Sequence, residues 1–346
     1  MDNSKMTIKE IADLAGVSKS TVSRYLNRGY VSEEKAERVR KIIEETGYQT
    51  NFFAKRLKMK HSKLVGIVLP RMDSVTVGKL LTGMHRVLLP SGYQGILLVS
   101  NLDADKEIEN ILSLQQQGVD GIIVDSIGIT ERHLEVQRDM ELPLIFTGQM
   151  HEDVHYIKFD DRAAGRMMGA YLRSMGHKRA VFAGVTETDL AVGVDRKQGF
   201  IDAFTEESPE ASVDFVETGF DFLSAYHQAE YICSLEPSVV VGATDNICLG
   251  LLRYFHERHV RVPAEISVAG FGGYDVGAVV YPALTTIAFD YELVGMKTAK
   301  GMLDLIAGKK LGSEASLPLF FVERESVRRM DQPYVERPPE QLSAME

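Results

Sequence analysis

The sequence predicts an α/β protein in which a small helical N-terminal domain precedes a core of two α/β lobes. Two observations carry this prediction. Three short amphipathic stretches with helix-capping residues at their ends occupy residues 6–48. From residue 63 onwards, short apolar runs alternate with amphipathic helical stretches in two successive series. Such alternation is typical of parallel sheets whose strands are buried on both faces.

Charge is distributed unevenly along the chain. The 346 residues are 45% hydrophobic and 25% charged, a globular composition that excludes a disordered tail or a fibre. The net charge is −10, but residues 1–62 carry 13 basic and 8 acidic side chains (+5), and the rest carries 26 and 41 (−15). The basic segment indicates a nucleic-acid partner, and the acidic remainder argues against a body that binds DNA or anionic lipid.

Nothing in the sequence indicates secretion or membrane insertion. The N-terminus MDNSKMTIKE lacks the apolar core of a signal peptide, and no apolar run approaches the roughly 18 residues that cross a bilayer. Two cysteines, Cys233 and Cys248, cannot build a disulfide framework. We therefore expect a soluble, cytoplasmic protein.

The three N-terminal helices have well-marked boundaries. Thr7 and Glu10 have the spacing of a capping box, so the first helix begins at about Thr7. The other boundaries carry a turn glycine or a capping serine: Gly16, Ser18, Ser32 and Gly47.

The second helix, residues 19–27, is polar on its outer face. Val22 and Leu26 form its apolar side. The side chains turned outward are hydrogen-bond donors and hydroxyls, with no acid among them: Lys19, Ser20, Ser23 and Arg24. Helix, glycine turn and polar helix is the helix-turn-helix layout, whose second helix enters the major groove. The pattern alone also fits a simple corner between two helices, and the basic charge favours DNA binding.

Residues 1–50 resemble a known headpiece. The runs TIKEIADLAGVSKSTVSRYLN and VSEEKAERVRKIIEETGYQTNFFAKRL are similar to the LacI/GalR family of bacterial transcription regulators. The resemblance implies that Lys19 and Ser20 face base edges of double-stranded operator DNA, with Arg24 on a guanine. It assigns phosphate contacts to five residues: Thr7, Ser18, Thr21, Ser23 and Asn27. The chemistry agrees, because arginine donates two bonds to guanine and hydroxyls suit phosphate oxygens.

Residues 51–62 match the hinge helix of the same family, which orders on the operator and opens the minor groove with a leucine, here Leu57. The neighbouring cations are Lys55, Arg56, Lys58 and Lys60. An apolar wedge beside phosphate-binding cations has a physical use, since extra contacts offset the unstacking of a base step. A basic linker with an incidental leucine is the alternative, and Phe52 and Phe53 depart from the family pattern.

The resemblance extends to about residue 330 through the blocks GHKRAVFAGV, ATDNICLG, VPAEISVAGF and PALTTIAFDYELVG. It implies a periplasmic-binding-protein-like core, residues 63–330, with three crossings between lobes. The N-lobe would comprise about 63–161 and 292–320, and the C-lobe about 162–291 and 321–330.

Ligands of open parallel sheets bind beyond the carboxyl ends of the strands, so polar residues at those ends are candidates. By resemblance, Arg196 takes the place of an arginine that holds sugar hydroxyls, and Asp245 lies in a block that lines the cleft. Phe220, Phe222 or Tyr291 would stack on the apolar face of a sugar.

Two loops resemble the trehalose-operon repressor branch. Arg71-Met72-Asp73-Ser74 matches its R-x-D-S, and GVTETDLAVGVDRKQGF matches a long loop. The arginine serves a sugar phosphate in that branch, but Gln149 and Gly272 stand where relatives place a basic residue and an aspartate. The predicted effector is a mono- or disaccharide, free or phosphorylated. The predicted effector-binding residues are Arg71, Asp73, Ser74, Gln149, Arg196, Phe222, Asp245, Gly272 and Tyr291.

Two enzyme-like patterns are set aside. His151-Glu152-Asp153-Val154-His155 fits H-E-x-x-H, but zinc binding by this motif needs a helix, and the segment lies between two apolar runs. Asp160 and Asp161 are read as strand residues that point to opposite faces and so form no catalytic pair. We predict no enzyme activity, cofactor or metal.

The prediction is a homodimeric repressor of a sugar-utilisation operon that binds a palindromic operator and is released by a sugar or sugar phosphate. The polar tail, residues 331–346, has no leucine heptads for further assembly. A cytoplasmic sugar-binding or sugar-processing protein with an incidental basic head is the alternative. Operator sequence, effector identity and the choice between inducer and corepressor are left open.

Overall fold

A computed structural model describes residues 6–27, 29–48, 61–311 and 317–335. The chain divides into two compact units, Met1–Ser62 and Lys63–Glu346. Within residues 6–48, apart from position 28, the first unit contains three helices, α1 (Ile8–Ala15), α2 (Lys19–Leu26) and α3 (Glu33–Thr46). The predicted hinge, including Leu57, lies outside the described residues except at its last two positions.

Capping side chains begin the first two helices as the sequence predicts. At α1, Thr7 N donates to Glu10 Oε2 at 2.6 Å and Glu10 N donates to Thr7 Oγ1 at 3.3 Å. At α2, Thr21 N donates to Ser18 Oγ at 3.2 Å. Ser32 makes no side-chain capping bond to α3, so the acidic side chains of its first turn supply the favourable interaction with the helix dipole.

The head has a small apolar core in which all three helices take part. Its fully buried members are Ile11, Ala12, Ala15, Val22 and Val39. Each lies on the inner face that helical periodicity assigns to it. The polar face of α2 is therefore left outside the core.

The second unit alternates strands and helices along the chain. Its strands are β1 (Leu64–Leu69), β2 (Gln94–Val99), β3 (Gly121–Asp125), β4 (Leu144–Thr147), β5 (His155–Ile157), β6 (Arg179–Gly184), β7 (Ser212–Glu217), β8 (Val239–Gly242), β9 (Ser267–Gly272), β10 (Thr285–Phe289) and β11 (Leu319–Val322). Its helices are α4 (Val75–Leu88), α5 (Ala104–Gln116), α6 (Glu131–Asp139), α7 (Asp161–Ser174), α8 (Lys197–Thr205), α9 (Phe222–Ser234), α10 (Asp245–Glu257), α11 (Val276–Val279) and α12 (Tyr291–Ile306), with a π-helical segment at Leu190–Arg196 before α8. No helix in the described ranges is long and apolar enough to cross a membrane.

The strands form two sheets, one in each lobe. The first has the order β2-β1-β3-β4-β5, and the second has the order β11-β10-β9-β8-β6-β7. All pairs are parallel except β10 with β11. The chain crosses after β5, returns after β10 so that α12 packs on the first sheet, and crosses again to β11. The strand β11 occupies Leu319–Val322, so the return to the C-lobe begins two residues before the predicted segment 321–330.

The contact between α4 and α12 depends on two glycines. A β-carbon on Gly83 would lie 2.0 Å from the carbonyl oxygen of Glu292, and one on Gly295 would lie 2.0 Å from that of Leu80. No side chain fits between these helix backbones. At the start of α12, the ring of Tyr291 lies 5.5 Å from that of Phe159, which follows β5.

Substituting Gly83→Ala should lower the free energy of unfolding by about 1 to 3 kcal/mol, because the added methyl forces the two helices apart. Urea unfolding followed by circular dichroism measures the change. Gly78→Ala in the same helix is the control, since nothing lies within 4 Å of its β-carbon position. That control should raise stability by about 0.5 to 1 kcal/mol through helix propensity. Equal effects of the two substitutions would contradict the packing argument.

Candidate functional site

The outer face of α2 is open to solvent and carries the predicted base-reading residues. Lys19, Ser20 and Arg24 are exposed, and neither cation pairs with an acid among the described residues. A pair of free cations on one face of a short helix suits a polyanion. The structure therefore brings the three predicted base readers together on one surface.

The predicted phosphate-binding residues surround that face. Ser18 Oγ lies 2.8 Å from Ser20 Oγ and 2.9 Å from Thr21 Oγ1. Asn27 Nδ2 donates to the carbonyl of Ser23 at 2.9 Å and so ends the helix. Four of the five predicted phosphate contacts lie on α2 or at its two ends, and the fifth, Thr7, caps α1.

A cleft lies at the carboxyl ends of the strands of both sheets in the second unit. It encloses about 1020 Å³ of space outside the protein atoms, counting solvent at its mouth. Segments that follow each of the strands β1 to β10 contribute to its lining. The predicted effector residues that line the cleft are Arg71, Ser74, Gln149, Arg196 and Tyr291.

Four predicted effector residues do not line the cleft. The Asp73 side chain is 79% exposed and lies 3.1 Å from Arg71. Phe222 begins α9 and is 54% exposed, whereas Phe220 lines the cleft and lies beneath the Arg71 guanidinium, 5.2 Å from it. The turn into α9 separates the two phenylalanines, and sequence periodicity alone does not resolve it.

The other two residues, Asp245 and Gly272, lie outside the cleft lining and contact Tyr274. Asp245 is fully buried, where its Oδ2 accepts from Tyr274 N at 2.8 Å and its Oδ1 from Thr286 Oγ1 at 2.7 Å. Burial raises the pKa of its carboxyl. Gly272 has a φ of 140°, and a β-carbon there would meet the Tyr274 ring at 2.5 Å. Both residues thus position Tyr274, which does line the cleft.

Arg196 is held in a buried ion pair at the cleft wall. Its Nη2 lies 2.6 Å and its Nε 3.2 Å from Asp161 Oδ1, and its Nη1 donates to the carbonyl of Ala243 at 2.6 Å. The guanidinium lies 4.8 Å from the ring centroid of Phe289. The side chains of Arg196 and Asp161 are 5% and 6% exposed.

The reading of Asp160 and Asp161 as strand residues is wrong. Asp160 accepts a bond from Ala163 N at 2.8 Å and caps α7, and Asp161 is the first residue of that helix. A helix start after a three-residue strand turns Asp161 inward to Arg196. The two carboxylates still have separate partners, so they form no catalytic pair.

Several polar residues that line the cleft are missing from the predicted effector-binding set. Among them are Asp125, Lys158, Asp189 and Tyr274. Asp125 ends the run GIIVD, so its strand-end position was a usable signal. Asp189 lies in the loop GVTETDLAVGVDRKQGF, which the sequence singles out as a whole, but its contact with Gln149 of the other lobe is a feature of the tertiary structure.

A buried polar network supports the loop after β3. Ser126 Oγ donates to Glu107 Oε1 at 2.6 Å, and His133 Nε2 lies 2.9 Å from the same oxygen. On the other side of the His133 imidazole, Thr130 N donates to Nδ1 at 3.1 Å. The network joins α5 and α6 to the loop and so orients Ser126 at the cleft.

Residues 151–155 form a turn that leads into β5, which starts at His155. His151 Nδ1 accepts from Asp153 N at 3.2 Å within that turn. The helix that a zinc site of this motif requires is not formed here.

An exposed, acid-free helix on a small three-helix head, followed by a two-lobed core with a polar cleft, defines the class of DNA-binding transcriptional regulators. The family model of bacterial regulatory proteins, lacI family, matches residues 7–51, and that of the periplasmic binding protein-like domain matches residues 170–327. The chain belongs to the LacI family. It is a transcriptional regulator and not an enzyme.

Curated relatives agree with this assignment. The chain is 37% identical over 290 residues to the sucrose operon repressor of Staphylococcus xylosus, covering 83% of this chain and 90% of the relative. It is 26% identical over 307 residues to the HTH-type transcriptional regulator TreR of Salmonella typhimurium, covering 88% and 95%. The resemblance to the trehalose branch is therefore present, and identity to the sucrose repressor is higher.

Solved structures share the fold. A lac repressor dimer bound to operator and the anti-inducer ONPF superposes with a TM-score of 0.83 at 22% identity, covering 93% of this chain and 99% of that chain. A complex of the transcriptional regulator CelR with cellobiose has a TM-score of 0.70 at 24% identity, covering 93% and 99%. Both likenesses confirm the predicted architecture of helix-turn-helix head and two parallel-sheet lobes.

Proposed function

We propose that this protein is a cytoplasmic repressor of a sugar-utilisation operon that binds a near-palindromic operator as a homodimer and is released by a sugar in the cleft. The observation that carries the proposal is the polar cleft at the strand ends of both lobes, in a chain whose head presents an acid-free helix face. The names of the sucrose operon repressor and of the CelR complex with cellobiose support a saccharide effector.

In this proposal the chain is organised as a headpiece (1–50), a hinge helix (51–62), an effector-binding and dimerisation core (63–330) and a polar tail. Lys19, Ser20 and Arg24 read base edges, while Leu57 wedges the minor groove. Two heads related by a two-fold axis contact half-sites about one helical turn apart, which requires a near-palindrome. Effector binding changes the lobe arrangement and lowers operator affinity through a coupling of about 1 to 3 kcal/mol.

The effector lies among groups from both lobes. Arg196 and Gln149 bind its hydroxyls, and the aromatic rings of Tyr291 and Tyr274 pack on its apolar face. Arg71 lies over Phe220 and is the site for a phosphate if the effector carries one.

A mobility-shift assay tests the proposal. An operator is first selected from random duplex DNA by the purified protein, then challenged with sucrose, trehalose and their 6-phosphates. We expect a palindromic consensus and release by at least one of the four compounds. Selection of no consensus would overturn the DNA-binding part, and an operator complex that none of them dissociates would overturn the effector part.

The substitution Arg24→Ala should weaken binding to the selected operator by about 1 to 3 kcal/mol, roughly tenfold to a hundredfold, because a bidentate contact to guanine is lost. Effector affinity, measured by calorimetry, should be unchanged. Lys41→Ala is the matched control, since Lys41 is an exposed cation of α3 whose nearest acid is Glu45 at 3.8 Å. Equal weakening by the two substitutions would mean that Arg24 contributes charge alone.

A further inference from the structure

Two carboxyl groups face the cleft without a cationic partner. Asp125, at the end of β3 in the N-lobe, accepts from Thr147 Oγ1 at 2.8 Å. Asp189, in the C-lobe, accepts from Gln149 Nε2 and from Val192 N, both at 3.0 Å. These bonds use Oδ1 of each carboxyl, and within the described ranges neither aspartate has an ion pair.

The cations of the cleft already have acidic partners. Arg196 pairs with Asp161, and Lys158 Nζ lies 3.2 Å from Asp195 Oδ2. Arg71 pairs with the exposed Asp73 near the mouth. Three paired cations and two carboxyls without an ion-pair partner leave the interior of the cleft unfavourable for a dianion once those carboxyls are ionised.

The same arrangement suits hydroxyl groups. An ionised carboxyl is an acceptor only, and hydrogen bonds from hydroxyls to it are shorter and stronger than those between neutral groups. Asp125 and Asp189 come from opposite lobes and line the same cleft, so a polyol bound between the lobes has a carboxyl acceptor on each side. A ligand held in this way joins the lobes without any positive charge from the protein.

Both carboxyls change charge close to neutral pH. Desolvation in the cleft, with repulsion from Glu107 and Asp189, raises the pKa of Asp125 to about 7. Desolvation, with repulsion from Asp161 partly offset by Arg196, raises the pKa of Asp189 to about 6. A hydroxyl that donates to either group favours its ionised form and lowers its pKa.

We infer, resting on the proposed function above, that the effector is an uncharged saccharide and that Asp125 and Asp189 determine its specificity by accepting one hydroxyl hydrogen from each side of the cleft. The inner cleft rejects the phosphorylated form of the same sugar. Arg71 then acts at the mouth through its contact with Phe220.

Calorimetry on the full-length protein tests this inference with four probes: sucrose, trehalose, sucrose 6-phosphate and trehalose 6-phosphate. The free form of the sugar that binds should bind at least tenfold more tightly than its 6-phosphate. Asp125→Asn and Asp189→Asn each keep an Oδ1 acceptor for Thr147 or Val192, remove the charge and replace the Oδ2 acceptor by an amide donor. Each should weaken binding of the free sugar roughly tenfold to a hundredfold.

The control is Asp105→Asn, which makes the same substitution at an exposed position of α5 that pairs with Arg132 on the surface. It should leave sugar affinity unchanged. Thermal unfolding of all three variants checks that they are folded, and the comparison of free and phosphorylated sugar in the wild type does not depend on any variant.

Affinity for the free sugar should increase between pH 5.5 and 8, because an ionised carboxyl accepts stronger hydrogen bonds from hydroxyls than a protonated one. The increase should disappear in the double variant Asp125→Asn/Asp189→Asn. A structural role for the two aspartates would lower affinity without removing this pH dependence, so loss of affinity with the pH profile retained would overturn the inference.

The remaining outcomes separate the inference from the proposed function. Tighter binding of a 6-phosphate, or sugar affinity unchanged in both single variants, overturns the uncharged-saccharide inference and leaves the repressor proposal standing if the operator is still released. Binding of none of the four probes overturns both the inference and the effector part of the proposed function.

Discussion

Substituting Arg196→Ala should lower the free energy of unfolding by about 3 to 5 kcal/mol and abolish effector binding. The substitution removes the only described ion-pair partner of Asp161 and leaves that buried carboxylate without a cation. Breaking one side of a buried pair leaves a desolvated charge uncompensated, which is the origin of the large effect. Urea unfolding at fixed protein concentration measures the stability, and calorimetry with the effector measures the binding.

A second arginine provides the control for this effect. Arg162, on α7 next to Asp161 in sequence, is 51% exposed and pairs with Asp202 on the surface at 2.6 Å. Because exposed pairs contribute little, Arg162→Ala should change stability by less than about 1 kcal/mol. The double variant Asp161→Ala/Arg196→Ala should recover part of the stability, since it removes the unpaired charge. A loss as small for Arg196→Ala as for Arg162→Ala would contradict the buried-pair assignment.

Operator affinity should fall by a factor of about 10³ or more when salt is raised from 50 to 200 mM. Headpiece and hinge together, residues 1–62, have a net charge of +5, so a dimer brings about ten net positive charges to the duplex, while the rest of each chain carries −15. Release of counterions from the neutralised phosphates gives this steep dependence. Fluorescence anisotropy of labelled operator over a salt series measures the slope.

Sugar binding to the cleft of the second unit serves as the comparison for the salt series. An uncharged sugar releases few ions, so its affinity for the cleft should change little over the same range. A flat salt dependence of operator binding would contradict the assignment of the basic head to phosphate contacts. A steep dependence for the sugar would instead indicate a charged effector.

The helical head was largely predictable from the sequence because its signals are local. A capping box closes within four residues, as at Thr7 and Glu10, and a glycine such as Gly16 adopts a φ of 62° where the helix ends. The apolar face of α2 follows from helical periodicity around Val22. Each of these features depends on neighbours within one or two helical turns.

The cleft was predictable only in part. The rule that ligands bind beyond strand ends correctly selected Arg71, Gln149 and Tyr291 as lining residues. It does not say which way a side chain points once the strand has ended. Asp245 begins a helix and turns into the protein interior, where it holds Tyr274 N.

The sequence by itself determined the class of this protein, since caps, periodicity, strand runs and charge asymmetry are all properties of short stretches. The tertiary structure alone decided the charge balance of the cleft. Asp161 forms an ion pair with Arg196, which is 35 residues away along the chain. Asp189 accepts a hydrogen bond from Gln149, which is 40 residues away. Whether a carboxylate is neutralised or left facing a ligand depends on such distant neighbours, because charge interactions act through space and not along the chain.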